Sequence, residues 1–134
     1  MGLKLTFYDN GLDEVRCEYS IPATYQGYPG IAHGGIVAAI LDEAVGRVAL
    51  IGDHNHFMLT VKMEVKYRQP VPVETPLVII ARKMKSRGRL VQAVGEARLP
   101  DGTLAAEAEL TLADMPEQFR VEGDLEALGW KVYP

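Results

Sequence analysis

Residues 33–51 read HGGIVAAILDEAVGRVALI. After the two glycines, only Asp42, Glu43 and Arg47 interrupt an apolar run. A surface helix carries one apolar stripe, whereas a helix apolar on every side is buried. The stretch therefore predicts a long helix gripped by a sheet. With about 3.6 residues per turn, Asp42 shares a face with Gly35, Ala38, Ala39, Val45, Gly46 and Ala49. All of these are small except Val45, so another surface can approach closely there. The pattern predicts a carboxylate aimed at a cleft.

Working outward, Val15, Cys17, Tyr19 and Ile21 alternate with Glu14, Arg16, Glu18 and Ser20, the period-two signature of a half-buried strand. Leu3 to Tyr8 is a candidate short strand before it, and Asn10-Gly11 marks the turn between them. Pro22 ends the strand, and a loop with Gly27, Pro29 and Gly30 leads to the helix. After the helix, a second strand runs from Met58 to Arg68, with Leu59, Val61, Met63, Val65 and Tyr67 on its apolar face and Thr60, Lys62, Glu64 and Lys66 on the other. Further strands are expected at Leu77–Ser86, Arg89–Leu99 and Thr103–Ala113, turned by Arg87-Gly88 and Asp101-Gly102. Gly95, Ala97, Ala106 and Ala108 give the last two strands a small-residue face that suits a close-packed helix. A short helix is expected at Asp124 to Leu128. Strands joined by short turns, with one helix segregated to one face, predict an α+β fold with an antiparallel sheet.

The 134 residues suit a single domain spanning 1–134, without repeats. A net charge of −4 gives no footprint for nucleic acid or an anionic membrane. The helix approaches the length of a membrane span, but Asp42, Glu43 and Arg47 at its centre argue against one. A lone cysteine and the absence of a secretion-signal pattern predict a cytoplasmic protein.

Gly34 and Gly35 open the helix, where the first amides lack internal partners and sit at the positive end of the dipole. Such amides can polarise a carbonyl and stabilise charge developing on its oxygen; the alternative is that the glycines only permit close packing. Asp42 is the candidate nucleophile or general base, since a carboxylate among small residues needs a partner or a task. Its alternative is a structural acid hydrogen-bonded across an interface. Glu43 has a plainer use, pairing with Arg47 four residues on. Gly34 and Asp42 are eight positions apart, roughly 12 Å along a helix axis. If both act on one carbonyl, Gly34 of one subunit must work with Asp42 of another, which predicts a dimer with two shared sites. His33 is a candidate substrate ligand or a helix cap. His54 and His56 lack a third ligand in view, so no metal site is expected. Arg82, Lys83, Lys85, Arg87 and Arg89 cluster at one hairpin, either a solvated charged turn or a site for a phosphorylated ligand.

PGIAHGGIVAAILDEAVG and TVKMEVKYRQPV together resemble the hotdog-fold acyl-CoA thioesterases of the phenylacetic-acid-degradation type, over about Tyr25 to Ala113. The resemblance implies a long helix wrapped by a curved antiparallel sheet, and a dimer with one continuous sheet, often paired into a tetramer. It implies an acyl-CoA substrate and no cofactor. Asp42 matches the family's catalytic carboxylate, and Gly34 its backbone donor to the thioester carbonyl. Thr60, eighteen residues beyond Asp42, matches a Ser or Thr position near the attacking water. Gln26 is the nearest amide to the Asn or Gln that many members carry upstream. Gly35 and His33 fall in the substrate-binding HGG turn, and Arg87 and Arg89 among the basic residues that meet the CoA phosphates. Tyr25, Tyr28, Phe57, Met58 and Met63 are candidates for an acyl pocket or for the core. The rival readings are a thioester hydratase or dehydratase and a non-catalytic acyl-CoA binder.

Overall fold

The structure is a computed structural model that describes residues 5–51 and 58–114. The start of the first expected strand, the His54/His56 pair, Phe57 and the short helix expected at Asp124 to Leu128 lie outside the described residues. The elements are β1 (Tyr8–Asp9), β2 (Glu14–Ser20), α1 (Gly34–Val48), β3 (Met58–Tyr67), β4 (Pro76–Arg87), β5 (Leu90–Arg98) and β6 (Leu104–Asp114). They form a six-stranded antiparallel sheet in the order β1-β2-β4-β5-β6-β3, with α1 laid across one face. This is the hotdog arrangement, an α+β fold. The first strand is shorter than expected, because only Tyr8 and Asp9 pair with Arg16 and Val15.

The helix rests on a floor of small side chains. Ala97 faces Ala106 and Gly95 faces Ala108 across the β5–β6 ladder, and all four are buried. A Cβ added at Gly95 would lie 3.3 Å from Val45 Cγ2 and 3.4 Å from Leu41 Cδ2, so this glycine sets how deeply the helix seats. Val37, Ile40, Leu41, Ala44, Val45 and Val48 fill the space between, meeting Ile79, Leu110 and Leu112 in one core.

The helix is not buried all round within the chain. Gly35, Ala39, Gly46 and Arg47 are exposed, and Asp42 and Glu43 are half-buried. The part of the small-residue face that carries Gly35, Ala39, Asp42 and Gly46 is thus the open one, while Val45 and Ala49 are buried, because a single sheet covers only one side of a helix. Hydrogen bonds from Leu50 N to Arg47 O (3.0 Å) and from Ile51 N to Val48 O (3.2 Å) tighten the last turn.

A second departure concerns β3. The ladder between β3 and β6 shifts register between Thr60 and Lys62, so Val61 is bulged out. A bulge inserts one residue and reverses the in–out phase of everything before it. Met63, Val65 and Tyr67 keep the phase read from the sequence. Leu59 and Val61 do not: they are 42% and 57% exposed, while Thr60 sits opposite the buried Leu112. Thr60 is thereby carried from the expected polar face to the face that looks at the helix.

Candidate active site

The loop before α1 is held on both sides. His33 N donates to Tyr25 O (2.8 Å) and Ala32 N donates to Val71 O (2.8 Å). The helix therefore begins at a fixed point. His33 is its N-cap: Nδ1 accepts from Gly35 N at 2.9 Å. An accepting Nδ1 places the ring proton on Nε2. The Gly35 amide, expected to face a ligand, is engaged by this cap. Gly34 N–H has no acceptor among the described residues, and the helix dipole favours negative charge beside it.

Gly34 has a second constraint that the sequence reading missed. The Tyr67 hydroxyl donates to Gly34 O at 2.6 Å and binds the start of the helix to the end of β3. A Cβ at Gly34 would lie 3.3 Å from that hydroxyl oxygen. The only sequence signal for Tyr67 is its place on the inward phase of β3.

About two turns further along, the half-buried Asp42 accepts a hydrogen bond from Thr60 Oγ1 at 2.7 Å. That contact depends on the bulge at Val61, since an unbroken alternation points Thr60 the other way. The pair lies on the open side of the helix. Glu43 takes no part in it and makes an ion pair with Arg47 at 3.8 Å. The Arg47 guanidinium also lies over the Phe7 ring, 5.5 Å from its centroid. Gly34 and Asp42 remain eight residues apart on one helix, roughly 12 Å along its axis. One chain therefore does not bring these two residues to one carbonyl.

Gln26 lies beside the helix start through a bridge to Ala32, but its Oε1 accepts from Gly30 N at 3.0 Å. Its amide nitrogen has no acceptor among the described residues. Arg87 and Arg89 are exposed at the β4–β5 hairpin. Asp114 N donates to Arg89 O at 3.1 Å and Asp114 pairs with Met58, so the hairpin stands at the sheet end where β3 begins. Arg82 is committed to Glu14 on the neighbouring strand at 3.1 Å. Tyr28 is 73% exposed, whereas Tyr25, Met58 and Met63 are half-buried against the core. No group of three or more metal-ligating side chains occurs among the described residues. Nor is any helix among them long and apolar enough to cross a membrane.

Comparison with known proteins agrees with this fold. The profile of the thioesterase superfamily matches residues 29–106. The acyl-coenzyme A thioesterase THEM4 of Rattus norvegicus is 28% identical over 83 residues, covering 62% of this chain and 35% of that protein. The chain thus spans about a third of the length of that relative. Among solved structures, RHA08564, a thioesterase superfamily protein, superposes with a TM-score of 0.72 at 28% identity, over 81% of this chain and 54% of the other. Smu.793 of Streptococcus mutans, solved bound to acetyl CoA, gives a TM-score of 0.77 at 16% identity over 86% and 91% of the two chains. With the fold, the helix and the matched span in agreement, this chain belongs to the thioesterase superfamily.

Proposed function

We propose that the protein is an acyl-CoA thioesterase of the phenylacetic-acid-degradation type, working as a dimer with two shared sites. The observation that carries this reading is the Thr60–Asp42 hydrogen bond on the open face of the helix. An acyl carbonyl oxygen rests on the Gly34 amide of one subunit. Asp42 of the partner subunit either takes a proton from water, which adds to the carbonyl carbon, or adds to that carbon itself. The tetrahedral intermediate collapses, the carbon–sulfur bond breaks and the CoA thiolate leaves, taking up a proton. In the second route water then hydrolyses the acyl-Asp42 anhydride. Thr60 holds one carboxylate oxygen, fixing the orientation of the other. Arg87 and Arg89 hold CoA phosphates as exposed cations.

The edge of the sheet supports the dimer. One edge is the two-residue β1, and the other is β3, ten residues long with Leu59, Val61 and Tyr67 exposed. A long edge strand with no second neighbour among the described residues, and with these apolar side chains exposed, invites a second copy. Antiparallel pairing of two β3 strands extends the sheet and brings the Gly34 end of one helix toward the Asp42 of the other. The rat relative's activity and the acetyl CoA bound to the Streptococcus protein support the substrate class. A hydratase would pair a histidine with an acid, whereas His33 spends Nδ1 on Gly35. The free, buried Cys17 suits the reducing cytoplasm.

The test is free-thiol release from phenylacetyl-, hydroxybenzoyl-, short-chain and medium-chain CoA esters by wild type and Asp42→Asn. The variant should fold normally and lose about 10²–10⁴ in turnover, the usual worth of a positioned base. A folded Asp42→Asn with full turnover sinks the assignment.

A further inference from the structure

The seam between α1 and β3 does not end at Asp42 and Thr60. Gly46 follows Asp42 by four residues, one turn along the same face, roughly 6 Å further toward the helix C-terminus. Met58 precedes Thr60 by two residues and so shares its inward phase on β3. Between them lies a groove of about 230 Å³, lined by Glu43, Gly46, Arg47, Leu50 and Met58. Its floor is apolar, from the half-buried Leu50 and Met58. Its rim is the Glu43–Arg47 ion pair, with Arg47 anchored over Phe7. In front of Gly46 there is open space among the described residues, since a Cβ built there meets none of their atoms within 4 Å.

We propose that this groove holds the acyl group of the substrate, and that Gly46 sets how large that group can be. The inference rests on the thioesterase reading and goes further by naming the substrate class: thioesters of a medium-length apolar acyl chain. Three observations support it. The groove is lined by Gly46, one helical turn beyond Asp42, and by Met58, two residues before Thr60, so it lies next to the Asp42–Thr60 pair along the same seam. It lies below the ~300–1,000 Å³ typical of pockets for drug-sized ligands, which suits an acyl chain and not a whole CoA ester. Met58 is flexible and polarisable, and adapts to chains of differing length. A glycine inside a helix is a poor helix former, so open space before it marks a position where a side chain would obstruct something.

The experiment compares kcat/KM for acetyl-, hexanoyl-, octanoyl- and benzoyl-CoA in wild type, Gly46→Ala and Gly46→Leu, with dimerisation checked by size-exclusion light scattering. Each methylene moved from water into an apolar pocket is worth about fourfold. The octanoyl-to-acetyl ratio should exceed one in wild type. It should fall by about tenfold or more in Gly46→Leu, as at least two methylenes lose their place, and by less in Gly46→Ala. An unchanged ratio in both variants overturns the proposal while leaving the thioesterase reading intact. An equal loss on every ester with a dissociated dimer also overturns it and assigns the groove to the subunit interface. A wild-type preference for benzoyl over octanoyl overturns the chain-length assignment. No thiol release from any ester by wild type removes the thioesterase reading, and this inference with it.

Discussion

At the scale of single residues, the site depends on one hydroxyl and one carboxylate. Thr60 Oγ1 donates to Asp42 Oδ1 at 2.7 Å, and a hydrogen bond to a charged group contributes about 1.5–3 kcal/mol. Thr60→Ala should therefore lower kcat by about tenfold to hundredfold, and Thr60→Ser should restore most of it. If Thr60→Ala turns over as fast as wild type, Thr60 plays no part in orienting the acid. Cys17 tests the core instead. Burial, the largest cause, pushes its thiol up; a backbone hydrogen bond from Thr6 offsets this in part, and the Glu18 and Glu43 charges add to it. In the folded state the thiol titrates above its unfolded value. Its contribution to stability is therefore present below the ordinary thiol range and lost as pH rises through the raised value. Cys17 should resist a thiol reagent at pH about 8 in native buffer and react fully in denaturant. Equal rates in the two conditions would contradict its burial.

At the scale of elements, two glycines act in opposite ways. Gly95 lets the helix seat on the sheet, with Val45 Cγ2 and Leu41 Cδ2 at 3.3 and 3.4 Å from where a Cβ would stand. Gly95→Val should cost about 1–3 kcal/mol or more by overpacking, seen as a lower urea midpoint. Gly46 faces open space on the helix, so Gly46→Ala should stabilise by about 1 kcal/mol and raise Tm by roughly 4 °C. A gain in stability with a narrowed acyl range is the familiar trade between fold and function.

The same elements show how far the sequence could be read. The helix from Gly34 is legible because its apolar residues are dense, a polar cap precedes it and two glycines open it. The small floor at Gly95, Ala97, Ala106 and Ala108 was legible because strand alternation holds in β5 and β6. The open face of the helix was read as buried because composition alone cannot say how many layers cover it. The phase of Leu59, Thr60 and Val61 was misread because a bulge leaves no mark where apolar residues occupy both phases, as Met58 and Leu59 do. Only the family resemblance points to Thr60, and the bulge supplies the physical reason it can face Asp42. Tyr67 escaped notice because its role is a contact with a backbone carbonyl, which no spacing encodes.

At the scale of the molecule, the account turns on one geometric fact: Gly34 and Asp42 share a helix yet stand roughly 12 Å apart along it. A working site then needs two chains, and the β3 edge offers the place for them to join. Val61→Lys puts a charge on that edge and should give an inactive monomer by light scattering; an active monomer would place the whole site in one chain. The most direct measurement is complementation between two inactive variants. Asp42→Asn removes the acid. Gly34→Pro removes the amide proton at a position where proline is accepted, the first of the helix, after a His33 that already has the extended backbone it requires; its Cβ would stand 3.3 Å from the Tyr67 hydroxyl, so the variant's fold and dimer are checked by circular dichroism and light scattering. Losing such a donor should cost about 10²–10³ in turnover. Random mixed dimers place half the chains in heterodimers, each with one intact site of two. Thiol release from octanoyl-CoA by the co-expressed pair should therefore recover to about a quarter of wild type. A mixture no more active than the separate variants would contradict the shared site and, with it, the assignment of Gly34 and Asp42 to a common reaction.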